Sequence, residues 1–544
     1  MRTDETVAVR LAETAARHPD RPFLNVLPET AAAYGIAPGE ITYAEAAAKV
    51  ATLTQAYLDA GLGGDGGVDR VGLLLLNRPE FVLHFIAMNG AGISMVPINP
   101  DLRAAELEYL ISHSEMKLAV AVPERQDDLR SAAAAMDIAL PVIGPDEPIP
   151  AFGPAKAAAT PSSESEAALL YTSGTTGQPK GCVLPNEYFL VCGEWYRDVG
   201  GLSAVREEPA ERMLTPLPVF HMNALAVSLM AMITVGGCLT VLDRFHPRTW
   251  WQSVRENRST CFHYLGVMPY ILMGLPENPA DAEHGARFGF GAGIDPTLHA
   301  PFQERFGVPL IEGWAMTEVG VSGSITDGRP DRVPGRACIG RPWEGVETKV
   351  IREDGSEADV DEPGELLIRR SGPRPGMGFF REYLKNSEAT AEAWAGGWFH
   401  TGDIVRQDAE GDFFFVDRRK NVIRRSGENI AAVEVESALV AHPAIRSVAV
   451  AAVPDAVRGD EVMALIVPAE GYAGSAELAE QITRWCLTRL AYYKAPGWTA
   501  FAGELPLTAT SKIQRGVLKT LAAELVESGQ AHDTRALKKR DAAA

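Results

Sequence analysis

Apolar and polar residues follow two rhythms along this chain, and the rhythms take turns. Residues 69–77, DRVGLLLLN, are a short apolar run bounded by polar residues, which predicts a strand buried on both faces. Residues 78–92, RPEFVLHFIAMNGAG, carry apolar residues at helical spacing and close on glycine, so they predict a helix. SMVPI, at 94–98, is the next strand. Strand, helix, strand is the grammar of a parallel sheet covered on both faces. It resumes over 214–242 and again over 259–275. The opening residues 1–21 predict an amphipathic helix and lack the apolar core of a signal peptide.

One segment imitates a membrane span. Residues 224–242, ALAVSLMAMITVGGCLTVL, carry no charge over nineteen positions. Gly236 and Gly237 divide them, so the prediction is a buried helix, a turn and a buried strand. A Pro/Ala/Ser-rich stretch, 144–166, is a connection that delivers the chain into the predicted strand EAALLYT. From about residue 336 the texture changes to short strands and glycine turns. A third region starts near 418, with a helix at AAVEVESALVAHP, a strand at IRSVAVAAVP and further helices to about 528. The closing RALKKRDAAA predicts a frayed tail.

Composition narrows the function. With 51 basic and 71 acidic residues in 544, the formal charge is −20, which gives no general attraction to nucleic acid or anionic membrane. Any anionic ligand needs a local concentration of positive groups. The six cysteines are scattered, with no metal-ligand spacing, as in a protein of a reducing cytoplasm.

Residues 171–181, YTSGTTGQPKG, crowd small and hydroxyl-bearing residues in front of Lys180. Such a loop can converge N–H and O–H groups on a phosphate beside a point charge. It is not a Walker A loop: Pro179 replaces the second glycine and Gly181 the final Ser/Thr. Alone, such a loop is more often a flexible connector than a phosphate clamp. Five further segments follow it: PLPVFHMNA (216–224), EGWAMTE (312–318), GWFHTGD (397–403), DRRKNVIRRSGENIAAVEVE (417–436) and PLTATSKIQR (506–515). In these six ordered segments the chain resembles the adenylate-forming superfamily of acyl-CoA synthetases, luciferases and peptide-synthetase adenylation domains. In texture it is similar to ligases of the bacterial crotonobetaine/carnitine–CoA type.

The resemblance implies an α/β fold. A large N-terminal domain, 1–417, has two βαβ-type subdomains and a small β-barrel-like one. A small mobile α+β domain, 418–530, and a tail, 531–544, follow. It implies a carboxylate joined to the α-phosphate of ATP with loss of pyrophosphate, then transferred to coenzyme A. Mg²⁺ and cations screen the meeting of two anions. The partners implied are a carboxylic acid, ATP and CoA, with a homodimer as a further possibility. Loading of a carrier protein stays open, since both thiols enter one tunnel. A dead nucleotide-binding protein would need loss of Lys512, Glu318 or the threonine loop, and all are present.

Residue by residue, the resemblance assigns Thr172, Ser173, Gly174, Thr175, Thr176, Gly177 and Lys180 to the ATP phosphates. Glu318 is the magnesium carboxylate and Thr317 a phosphate contact. Gly291, Ala292, Gly293, Glu312, Gly313 and Trp314 surround adenine, with Trp314 as a stacking ring in place of the usual tyrosine. Asp403 and Arg418 hold the ribose. Lys512 bridges the carboxylate and the α-phosphate in the first step, and Ser511 replaces a usual glycine beside it. Lys420 is the hinge, and Arg424, Arg425, Ser426, Gly427 and Glu428 line the thiol tunnel. His221 stands between the two sites. Phe220, Met222, Asn223, His263, Tyr264 and Ala315 line the acyl pocket. Aromatic side chains there can cage a quaternary ammonium or line a slot for an aryl or medium-chain acid, and such residues are more often ordinary wall than a cage.

Overall fold

The computed structural model describes residues 4–64, 67–158, 160–172, 178–294, 296–336, 338–352, 354–418, 422–506, 513 and 515–539. The first helix, Val7–Arg17, is capped by Thr6, whose side chain accepts from the Val9 amide. Its buried residues Val7, Leu11, Thr14 and Ala15 form one stripe, as an amphipathic surface helix requires.

Among the described residues, two large sheets build the N-terminal domain. The first orders its strands Glu382–Tyr383, Lys180–Pro185, Glu166–Thr172, Ile93–Pro97, Asp69–Leu74, Leu118–Ala121 and Val142–Ile143. Five of them, from Glu166–Thr172 onward, run parallel. The strand–helix–strand unit predicted over 69–98 is there, with its helix at Pro79–Gly90. Pro79 sits at the start of that helix, where its missing N–H costs nothing.

In the second sheet an antiparallel edge strand, Gly39–Thr42, precedes a parallel run of Pro22–Val26, Cys238–Val241, Arg212–Thr215, Cys261–Leu265, Phe288–Ala292 and Leu310–Met316 as neighbours in that order. Beyond Leu310–Met316 the pairing turns antiparallel through Gly320–Thr326 and the strands between Cys338 and Arg418. The uncharged stretch at 224–242 is a buried helical segment, a left-handed Gly236 with φ 63°, and the strand Cys238–Val241. Among the described residues no helix is long and apolar enough to cross a membrane.

The C-terminal domain packs the helices Ala432–Val440, Ala476–Leu487 and Arg515–Glu527 on a sheet centred on Gly459–Pro468. Its core is its own: Ile423, Ile430, Val435, Leu439 and Ile466 pack on one side of the sheet. Met463, Leu465 and Leu518 pack together in a second cluster. The tail departs from expectation. His532–Asp533 pairs with Trp498–Thr499, and Lys538, 4% exposed, places its ammonium against Glu461. A buried carboxylate needs a cation, and Glu461 draws this one out of solvent.

Candidate active site

Strands of both N-terminal sheets and a hairpin of the C-terminal domain end around one cavity of about 600 Å³. Thr172, Phe220, His221, Met222, Asn223, Ala315, Thr317, Glu318, Gly427 and Glu428 all line it. These residues come from four of the six sequence segments, and folding brings them to one space.

Thr172 and Lys180 face each other in register on adjacent antiparallel strands, so the chain enters and leaves this motif on strands. This distinguishes the loop from a Walker A loop, which opens a helix. Ser173, Gly174, Thr175, Thr176 and Gly177 themselves lie outside the described residues. The Lys180 ammonium stands 4.5 Å from the centre of the Tyr383 ring. The Tyr383 hydroxyl donates to Glu318 Oε1 at 2.9 Å. Tyr383 thus connects Lys180 to the buried carboxylate of Glu318, and burial beside that carboxylate holds its phenol strongly protonated. No motif singled out Tyr383, whose place depends on the pairing of Glu382–Tyr383 with Cys182–Val183, far from it in the chain. Glu318 is 7% exposed and turned to the cavity, and a carboxylate oxygen is the donor that a hard cation such as Mg²⁺ takes. Among the described residues no group of three His, Cys, Asp or Glu is placed to hold a metal.

Gly291, Ala292 and Gly293 sit at the end of Phe288–Ala292, and Glu312 lies on the neighbouring strand. Glu312 accepts from the amides of Gly293 at 3.1 Å and Ile294 at 3.3 Å, and from the Tyr264 hydroxyl at 2.9 Å. Glu312 is therefore the brace of this loop, and burial pushes its carboxyl up to about 7. Gly291 is required by close approach: a Cβ there would lie 2.2 Å from the Tyr264 carbonyl oxygen. A Cβ on Gly313 would meet the Phe290 ring at 2.6 Å.

Trp314 behaves differently from an open stacking platform. It is 6% exposed, and its indole N–H donates to Asp403 Oδ2 at 2.8 Å. Asp403 is 1% exposed and pairs in register with Arg418 on the adjacent strand.

His263 and Tyr264 are absent from the cavity wall. The Tyr264 hydroxyl is taken up by Glu312. His263 is wholly buried, with Nδ1 2.6 Å from Asn223 Oδ1 and 2.9 Å from Ser228 Oγ, and Nε2 2.9 Å from the Tyr196 hydroxyl. An amide oxygen only accepts, so Nδ1 carries the proton. Burial lowers the pKa of this histidine to about 3. His263 thus fixes Asn223 from behind, and Asn223 lines the cavity. His221 is open to the cavity, with Nε2 3.4 Å from Glu428 Oε2 of the C-terminal domain.

In the hairpin 422–431 the residues divide. Ser426 (φ 50°) and Gly427 (φ 89°) make its left-handed turn, and a Cβ on Gly427 would stand 2.2 Å from Leu265 Cδ1. Arg424 lies over the Phe415 ring. Arg425, 1% exposed, turns into its own domain and meets Glu461 at 2.9 Å. The alternation of a strand sends neighbouring arginines to opposite faces. Lys420 and Lys512 lie outside the described residues. Sequence reasoning passed over Arg489, Tyr493 and Lys494, which line the cavity from the C-terminal domain.

Comparison with known proteins follows this division. The AMP-binding enzyme family matches residues 11–384, and the family of AMP-binding enzyme C-terminal domains matches 434–512. The sulfoacetate–CoA ligase of Cupriavidus necator is 32% identical over 529 residues, covering 94% of this chain and 97% of its own. The crotonobetaine/carnitine–CoA ligase of Escherichia coli is 32% identical over 471 residues, covering 83% and 88%. The o-succinylbenzoate CoA synthetase of Bacillus subtilis, solved as a double mutant with a product analogue, superposes with a TM-score of 0.79. It is 23% identical, with 94% of this chain and 98% of that chain covered, and it shows the same two-domain fold.

Proposed function

The chain belongs to the AMP-binding enzyme family, and on that premise we propose that it is an ATP-dependent carboxylic acid–CoA ligase. The reaction runs through an acyl-adenylate. The acid's carboxylate oxygen attacks the α-phosphorus of ATP, the bond to pyrophosphate breaks, and the CoA sulfur then displaces AMP from the acyl carbon. The observation that carries this reading is the single cavity. Thr172, Thr317 and Glu318 line it from one domain, and Gly427 and Glu428 from the other.

In this reading Thr172, Ser173, Gly174, Thr175, Thr176, Gly177 and Lys180 hold the β- and γ-phosphates. Glu318, steadied by Tyr383, would hold Mg²⁺. The bound ion supplies charge neutralisation for the departing pyrophosphate. Asp403, oriented by Trp314, takes the ribose hydroxyls. Glu312 keeps the loop at Gly291–Gly293 in place beside adenine. Lys512 serves the first step, and rotation of the C-terminal domain about Lys420 exchanges it for the hairpin at Gly427, as the family resemblance implies. His221 and Glu428 then stand where the thiol arrives, and their approach at 3.4 Å supports a shared role in receiving its proton.

In this reading the acyl group meets apolar residues at Leu217, Phe220, Met222, Leu265 and Met316, with Asn223 and His221 among the polar residues of the same cavity. The two named relatives act on acids of opposite charge at the far end, so neither acid transfers to this chain by similarity. The test is pyrophosphate release with ATP and Mg²⁺ over a panel that includes sulfoacetate, crotonobetaine, aryl acids and medium-chain acids, with and without CoA. CoA-dependent turnover of one acid class, abolished by Lys512→Ala, is the expected result. Pyrophosphate release that CoA does not accelerate would replace CoA by a carrier-protein thiol. Silence across the panel would refute the ligase reading.

A further inference from the structure

Lys494 is a cation almost without solvent, 6% exposed, and two carboxylates reach it. Its Nζ donates to Glu106 Oε1 at 2.5 Å and to Glu434 Oε1 at 2.7 Å. Glu106 belongs to the helix Ala104–Ser114 of the N-terminal domain, and Glu434 to the helix Ala432–Val440 of the C-terminal one. One ammonium is therefore shared across the boundary between the domains. The second oxygen of Glu106 accepts from the backbone amide of Ala491 at 2.9 Å as well as from that of Arg103 at 3.0 Å. Beside it, Asn99 Nδ2 donates to the Tyr493 hydroxyl at 2.9 Å.

Charges this deeply buried stay ionised only when they satisfy one another. With the domains apart, Glu106 would be in water and Lys494 would keep Glu434 alone. With them docked, both lose water and the three-way contact replaces it. The contact is made in the arrangement that brings Gly427 and Glu428 to the cavity. It also sits close to that hairpin in the chain, since the strand Glu428–Ala431 runs directly into the helix of Glu434.

We propose that Glu106, Lys494 and Glu434 form a latch that seats the thiol-receiving hairpin, which makes Glu106 and Lys494 positioning residues for thioester formation and not for adenylation. This rests on the two-step reading above. Glu106 is the side to perturb, because its loss leaves the Lys494–Glu434 pair intact within one domain. Glu106→Gln keeps an acceptor for the helix N-terminus and removes the charge, while Glu106→Ala removes both.

The experiment separates the half-reactions for the acid class that the panel identifies. Acyl-adenylate is trapped with hydroxylamine in the absence of CoA, and transfer from preformed adenylate to CoA is followed in a single turnover. Amide exchange is measured in parallel on the full chain without ligands, at the peptide containing Ala491. Glu106→Ala is expected to leave adenylate formation within about twofold, to slow transfer at least tenfold, and to speed Ala491 exchange at least tenfold. Glu106→Gln is expected to move transfer and exchange in the same direction by less. An equal fall in both half-reactions, or unchanged transfer, overturns the latch. If no acid is adenylated, the proposed function has failed and exchange alone judges the contact: unchanged protection at Ala491 overturns it, and loss of protection supports it.

Discussion

Replacing Trp314 by phenylalanine removes one hydrogen-bond donor while keeping most of an apolar ring. The indole N–H meets Asp403 Oδ2 at 2.8 Å, with the two residues 6% and 1% exposed, so water cannot replace the donor without rearrangement. A hydrogen bond to a charged group contributes about 1.5–3 kcal/mol. At about 1.4 kcal/mol per factor of ten, its loss corresponds to roughly 10- to 150-fold. Where that loss appears distinguishes two roles. If Trp314 aims Asp403 at the ribose, the variant loses discrimination between ATP and 2′-deoxy-ATP. The ratio of kcat/KM for the two nucleotides in pyrophosphate release should then fall at least fivefold. If Trp314 instead acts by stacking on adenine, both nucleotides suffer equally and the ratio holds. An unchanged ratio, with ATP use impaired, would refute the positioning role.

Further outcomes follow from the same geometry. Gly427→Val places a branched side chain at φ 89° and against Leu265, and should depress transfer to CoA more than pyrophosphate release; equal effects on the two would contradict the docked hairpin. Glu318→Gln should abolish Mg²⁺-dependent pyrophosphate release with a small change in unfolding midpoint, since the amide still accepts from Tyr383; retained release would remove Glu318 from the metal role. His263, held at about 3, lies below the ordinary histidine value. Below pH 6.5 the unfolded chain binds the proton that the folded chain refuses, so stability falls as pH drops, by about 1.4 kcal/mol per pH unit from this group. Urea midpoints from pH 7 to 4.5 should show a shallower slope for His263→Phe than for the parent, and parallel slopes would contradict the buried neutral ring. Lys538→Met leaves the buried Glu461 with one close cation fewer and should cost about 2 kcal/mol or more in thermal unfolding. A midpoint identical to the parent's would mean the tail is not docked.

The family of this chain was legible because its signature segments are local. The run 172–181, the run at 312–318, Asp403 in its motif and the run 424–429 are each read from a few consecutive residues. The alternation that predicted the strand at 69 and the helix at 78 is equally local, because burial on both faces selects an unbroken apolar run. The divided apolar stretch at 224–242 was read correctly through its two glycines. Everything decided across distance needed the folded chain. Arg425 stands in the same basic run as Arg424, yet strand alternation points it into its domain at Glu461. His263 and Tyr264 lie on the strand whose last residue, Leu265, lines the cavity, yet His263 is engaged in holding Asn223 and Tyr264 in holding Glu312. Lys538 looked like the start of a solvated tail until a buried carboxylate drew it in. Glu106 and Lys494 are 388 residues apart, and no spacing announces them. A short motif fixes which groups one turn of chain can present; which of them face a ligand, a neighbour or the other domain depends on charges and surfaces that meet only when the whole chain has packed.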